Sequence, residues 1–231
     1  MPPNDIADLI RENVMVAAPK GLFQVHLGGG NTADEANELA MSVALRSYAT
    51  RNGKSMSEVF ALGFDNSHHG DSTACLSVSS VDANPNSLPA FPWPRGPFPQ
   101  LKFPIAQNEH FNNSEEDRCI SETESIIKER GQWGDVGAII VEPISSINNQ
   151  FATPRFFRKL RALAKDHGIP FIVDETKTGM GSTGKNWGHE HWYLHDDQVP
   201  DFVTFGGKSS LSGFYSTLEH RLNADATSVQ Q

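Results

Sequence analysis

The sequence predicts an α/β fold, a mainly parallel sheet with helices on both faces. Three observations carry this. Short apolar runs at 59–64, 136–141, 171–173 and 202–205 alternate with segments of helical periodicity at 34–51, 114–130 and 153–166, and such alternation builds strand–helix–strand crossovers. Polar and charged residues gather directly after the apolar runs, as His69, Glu142, Asp174 and Lys208 do. In an open parallel sheet that edge is where ligands sit. The 231 residues are enough for one substantial domain or two small ones.

In chain order, residues 5–16 place Ile6, Leu9, Ile10 and Val14 near helical spacing, and Pro19 and Gly21 end that helix. The run 22–27 reads as a strand entering the glycine-rich turn Gly28-Gly-Gly-Asn-Thr. A helix follows from about Asp34 to Arg51, with Leu39, Ala40, Val43 and Ala44 as its buried stripe and Gly53 as its stop. Strand, glycine turn and helix can present backbone N–H groups to a phosphate. Here neither Gly-x-Gly-x-x-Gly nor a phosphate-loop lysine is present. Asp34 and Glu35 suit the helix N-terminus but would repel an anion there, so an ordinary capped turn is the stronger local reading.

The strand at 59–64 leads to Ser67-His-His-Gly-Asp. That turn suits contact with a planar ligand, although a histidine pair is more often a polar loop feature. No third ligand at metal spacing accompanies His68 and His69, which argues against a zinc site. Residues 83–104 are proline-rich, and Phe91, Trp93, Phe98 and Phe103 are expected to pack that extended segment onto a surface. A helix at 114–130, an apolar strand ending at Glu142, and a helix at 153–166 with Pro154 in its first turn follow.

The centre of the chain is Gly168-Ile-Pro-Phe-Ile-Val-Asp-Glu-Thr-Lys-Thr. A buried strand ending in an acid is costly unless the acid has a partner. A protonated ring nitrogen on a cofactor is one such partner; Asp174 as a cap of the next turn is the other reading left open by this segment.

The net charge of −9 argues against nucleic acid or an anionic membrane as the main partner. No apolar run reaches the length of a bilayer span, and the first residues lack the pattern of a signal peptide. Cys75 and Cys119 lack metal-ligand spacing and read as free thiols in a reducing compartment.

Several motifs then fall into one order. Val141-Glu-Pro, Val173-Asp-Glu, Thr183-Gly-Lys-Asn-Trp-Gly-His-Glu-His-Trp and Thr204-Phe-Gly-Gly-Lys resemble the class III pyridoxal-phosphate aminotransferases, and within them the 4-aminobutyrate branch. Ala18-Pro-Lys-Gly, Ala36-Asn-Glu, the Trp93–Pro104 stretch and Phe156-Phe-Arg-Lys-Leu-Arg extend the likeness over nearly all of residues 2–222. The resemblance implies a fold-type-I large domain over residues 1–222, followed by a polar tail at 223–231. It also implies pyridoxal 5'-phosphate as cofactor, a homodimer, a mitochondrial matrix location or otherwise a cytoplasmic one, and amino transfer from 4-aminobutyrate or a related ω-amino acid to 2-oxoglutarate.

It assigns Asp174 to the pyridine nitrogen, Glu142 to substrate selection above the site, and His68 to ring stacking with His69 beside it. Ala33, Asp34 and Lys177 fall at cofactor-contacting positions, and a lysine after the Thr204–Phe205 strand forms the Schiff base. Ungapped alignment puts that lysine at Gly207, with Lys208 one residue late, where strand alternation would turn it to the other face.

Three departures stand out. The small residue expected near the phosphate is Asp34, the arginine expected after His-His-Gly to hold the substrate carboxylate is Asp71, and the glutamine expected in the Asp-Glu turn is Lys177. The chain is also about half the family's usual length, and the N-terminal segment and small C-terminal domain are expected to be missing from it. Two functions follow: a transaminase using Lys208, Asp174 and Glu142, or a catalytically weak or inactive paralogue that binds cofactor or dimerises.

Overall fold

The computed structural model describes residues 6–28, 30, 32–80, 88–129, 132–208 and 211–220. Among them the chain runs α1 (Ile6–Met15), β1 (Gln24–Leu27), α2 (Ala33–Asn52), β2 (Val59–Phe64), α3 (Thr73–Val78), β3 (Arg95–Gly96), α4 (Glu109–Lys128), β4 (Asp135–Val141), α5 (Pro154–Asp166), β5 (Phe171–Asp174), β6 (Phe202–Phe205) and β7 (Gly213–Ser216). The strands form one sheet in the order β1-β7-β6-β5-β4-β2-β3. Pairs from β3 through β6 are parallel, and β7 runs antiparallel to both β6 and β1.

Both faces of the sheet are covered, so its central strands are apolar on both sides, as buried parallel strands are. Alternation sorts their side chains into two cores. Phe60, Leu62, Phe64, Ile139, Val141, Phe171, Val173, Val203 and Phe205 join Phe156, Phe157 and Leu160 of α5. Ala61, Ala138, Ile140, Ile172 and Phe202 join Ala40, Met41, Val43 and Ala44 of α2. By the same parity Glu142, Asp174 and Thr204 continue the rows of Ile140, Ile172 and Phe202 toward the α2 side. The sheet therefore delivers its polar ends to the helix that carries Asn37.

Local chemistry fixes the helix ends. Thr32 caps α2 by accepting from the Glu35 amide, and Gly53 closes it at φ +62° in the left-handed region. Thr153 caps α5 ahead of Pro154. Glu116 of α4 is fully buried and accepts from the Thr153 amide at 2.9 Å and its hydroxyl at 3.0 Å, which ties α4 to the start of α5.

Several sequence expectations shift. Leu9, placed on the inner stripe of α1, is 51% exposed. Helix α4 begins at Glu109 rather than 114, because the Asn112 amide clamps the Lys102 backbone at 2.8 and 3.0 Å and draws a weakly helical stretch into the helix. In the proline-rich segment Phe98 is buried and Phe91 stacks on Trp93, but Phe103 stands exposed against Phe151. Residues 83–87 of that segment and the tail from 223 lie outside the described residues. The short elements α3, β3 and β7 carry no pattern the sequence reading caught. Cys75 and Cys119 are buried free thiols, and burial pushes each up to about 12.

Candidate functional site

Parallel pairing brings the C-terminal ends of β2, β4, β5 and β6 to one edge, and the polar turns meet there. Asp174 is the hub, with both its backbone strand and its side chain buried. Its Oδ2 accepts from Asn37 Nδ2 and His69 Nδ1, each at 2.8 Å. Its Oδ1 accepts from the Thr176 amide at 3.0 Å and the Thr176 hydroxyl at 2.6 Å. Asn37 is itself held: its Nδ2 donates to the His69 carbonyl and its Oδ1 accepts from the Thr204 hydroxyl at 2.7 Å. A carboxylate offers about four acceptor sites, and all four are engaged.

Burial by itself would push Asp174 up. The hydrogen bond and charge of His69, with the Thr176 bonds, reverse this and hold it below the usual carboxylate range. Burial disfavours a charged His69, yet the hydrogen bond and charge of Asp174 and the charge of Glu142 raise it above the ordinary imidazole range. The His69 amide donates to Ser79 Oγ, and its Nε2 is buried with no hydrogen-bond partner in the protein. Glu142 accepts from the His68 and Ser146 amides at 3.1 and 3.2 Å. Burial pushes its carboxyl up; the His69 charge opposes this and the Asp174 charge adds to it.

The structure thus brings Asp174, His69 and Glu142 together. His68 is half-buried, with its Nε2 3.3 Å from Asp71 Oδ1. Lys208 is turned elsewhere. Its Nζ bonds the Lys177 carbonyl, the Ser182 hydroxyl and, at 3.4 Å, the Gly179 carbonyl. Burial lowers its pKa, the Glu175 charge raises it, and Lys177 lowers it further, for a net fall. The strand ends at Phe205, and Gly206 and Gly207 turn at φ +156° and +74°, so strand alternation does not reach Lys208. A Cβ built at Gly207 would meet only the Ala33 Cβ, at 3.8 Å. Lys177 itself is exposed.

At the N-terminus of α2, Asp34 accepts from the Asp71 amide at 2.8 Å, and Glu35 accepts from the Gly30 amide at 2.7 Å. Asn37, Thr176, Thr204 and Ser79 were given no role from sequence. Asn37 carried a usable signal, a polar residue on the same helical face as Ala40 and Ala44. A second buried knot was also missed: Glu175 accepts from the His189 amide and Nδ1, each at 2.7 Å, and from the Gly188 amide at 2.9 Å.

A sealed, low-lying carboxylate beside an imidazole can hold a cationic ring nitrogen, provided the newcomer replaces one of the four present donors.

The profile of the family described as Aminotransferase class-III matches residues 9–227. The 4-aminobutyrate aminotransferase of Dictyostelium discoideum is 38% identical, over 96% of this chain and 48% of that protein. The human protein named 4-aminobutyrate aminotransferase, mitochondrial, is 36% identical, over 97% of this chain and 48% of its own length. The solved lysine aminotransferase of M. tuberculosis superposes with a TM-score of 0.80 at 22% identity, covering 95% of this chain and 50% of that one. This chain spans about half the length of these relatives.

Proposed function

The chain belongs to the class III aminotransferases, and from that premise we propose that its site is a transaminase site of the 4-aminobutyrate type with low turnover of its own. The reaction is amino transfer from 4-aminobutyrate or a related ω-amino acid to 2-oxoglutarate. Residues 1–222 serve as the cofactor-binding large domain, working as a homodimer in the mitochondrial matrix. The relatives' names support the donor and, for the mammalian ones, the compartment. No helix among the described residues is long and apolar enough to cross a membrane.

The observation that carries the reading is Asp174: a carboxylate sealed at a strand end, kept low by His69, with the buried His69 Nε2 still without a partner. Such an acid suits the ring-nitrogen end of pyridoxal 5'-phosphate, whose electron-sink chemistry a charged neighbour strengthens. Glu142 and His68 would flank the ring. The other end does not fit. Ala33 is small, but Asp34 and Glu35 put carboxylates where the phosphate ester would lie, and Lys177 faces solvent. Lys208 points to the 177–182 turn rather than to Asp174.

The same features favour the second reading, a catalytically weak or inactive paralogue that binds cofactor or dimerises. One experiment separates the two. The purified 231-residue chain is incubated with pyridoxal 5'-phosphate, treated with borohydride, and mapped for a lysine carrying the reduced cofactor. A label on Lys208 supports the transaminase. Saturable binding without any labelled lysine supports the inactive form.

A further inference from the structure

We infer that this site takes an unphosphorylated pyridoxyl ring, ending in a neutral hydroxymethyl group, in preference to the 5'-phosphate ester. The inference rests on the ring-nitrogen reading of Asp174 and concerns the opposite end of the ligand.

Two hollows at the start of α2 are made by glycines, and the chain's own carboxylates fill both. A Cβ built at Gly28 or Gly30 would meet the Glu35 carboxylate at 2.8 or 2.6 Å. Its Oε2 accepts from the Gly30 amide at 2.7 Å. A Cβ built at Gly70 would meet Asp34 Cγ at 2.6 Å, and Asp34 Oδ2 accepts from the Asp71 amide at 2.8 Å. Glycine turns and a helix N-terminus are the parts from which backbone anion sites are made. Here each has a covalently attached anion already in place. An acidic side chain in the first helical turn also satisfies the helix dipole that an incoming phosphate would otherwise exploit.

The surrounding charge points the same way. Asp34 is tied to Asp71 through the Asp71 amide, the Asp71 side chain is 82% exposed, and Glu35 follows Asp34 in the first turn of α2. Lys208, the lysine of the turn beyond β6, has its ammonium bound to the Lys177 and Gly179 carbonyls and Ser182. A phosphate entering this corner would face carboxylates at close range and would have to displace them from their amides. A hydroxymethyl group carries no charge and can hydrogen-bond to either carboxylate. Asn37 reaches Asp174 and lies three residues beyond Asp34 on α2, so the ring clamp and Asp34 share one short helical face.

The test is calorimetric titration of the full chain with pyridoxal and, separately, with pyridoxal 5'-phosphate at pH 7.5. Pyridoxal is expected to bind at least tenfold more tightly than its phosphate ester. Asp34→Asn keeps an acceptor for the Asp71 amide while removing the charge, and Asp34→Ser removes the carboxylate altogether. Each is expected to tighten the phosphate ester at least tenfold and so to narrow or reverse the preference for pyridoxal. Equal or tighter binding of the phosphate ester by the unmodified chain overturns the inference while leaving the ring reading intact. So does an unchanged ratio in both variants. Failure of both ligands to bind any of the three proteins overturns the ring reading itself, and this inference with it.

Discussion

His69 Nδ1 lies 2.8 Å from Asp174 Oδ2, and both side chains are sealed from solvent. The pair joins the loop after β2 to the end of β5, two segments separated by 105 residues. Each partner moves the other: Asp174 is held low and His69 is held high.

The stability of this pair depends on pH with a definite sign. A His69 raised in the folded chain contributes fully below its unfolded value of about 6.5 and loses that contribution as pH rises through the folded value. Asp174, depressed on folding, contributes above about 3.9 and loses as pH falls through its folded value. His69→Ala is therefore expected to cost about 3–5 kcal/mol near pH 6, the range for stranding one member of a buried pair. The gap from the unmodified chain should narrow as pH climbs toward 9. Urea titrations across that range measure it, and a gap that stays flat with pH counts against a charged pair.

Glu175 holds the 175–189 segment by accepting from two backbone amides and the His189 ring. Glu175→Ala strands all of these donors and is expected to cost about 3–5 kcal/mol. Glu175→Gln, which retains one acceptor oxygen, should cost less. A shift in denaturation midpoint at constant slope reads out both; equal losses would mean that only side-chain volume matters there.

Gly70 sits at φ +130° with Asp34 packed where its Cβ would be. Gly70→Ala is expected to destabilise by about 1–3 kcal/mol from backbone strain, plus the clash. Asp34→Ala removes the clashing carboxyl but not the strain. The double variant should then be less destabilised than the sum of the singles by about 0.5–3 kcal/mol, as for other contacting pairs. Simple additivity in a thermal-denaturation cycle would show that the two residues do not press on each other.

Asp71 stands where the family's resemblance places a carboxylate-binding arginine, and its exposed side chain leaves room for a longer one. On the proposed transaminase reading, Asp71→Arg is expected to raise turnover of 4-aminobutyrate about tenfold, since a charged hydrogen bond to a carboxylate contributes about 1.5–3 kcal/mol. Coupled detection of the oxo-acid product follows it. No gain in an otherwise folded variant removes Asp71 from the substrate pocket.

Much of this was legible in the chain. Val59–Phe64, Asp135–Val141, Phe171–Asp174 and Phe202–Phe205 announce themselves because buried parallel strands need apolar residues on both faces. Thr153 with Pro154, and Gly53 after α2, mark helix ends by local backbone chemistry alone. Four-residue β7 and six-residue α3 escape the sequence pattern, since elements so short draw their stability from neighbours rather than from their own pattern. Asn37 was quoted within a motif but its role was not, because an amide's partners lie 32, 137 and 167 residues away.

The sequence by itself determined the family, the parallel sheet and the gathering of His69, Glu142 and Asp174 at one edge, because strand parity and motif order are local properties. Only the tertiary structure decided where the charges go. It set Asp174 against His69 and Asn37, turned Lys208 into the 177–182 turn, and folded Asp34 and Glu35 into the glycine hollows. Those outcomes depend on which donors burial leaves within hydrogen-bonding reach, and that is a property of packed segments rather than of neighbouring residues.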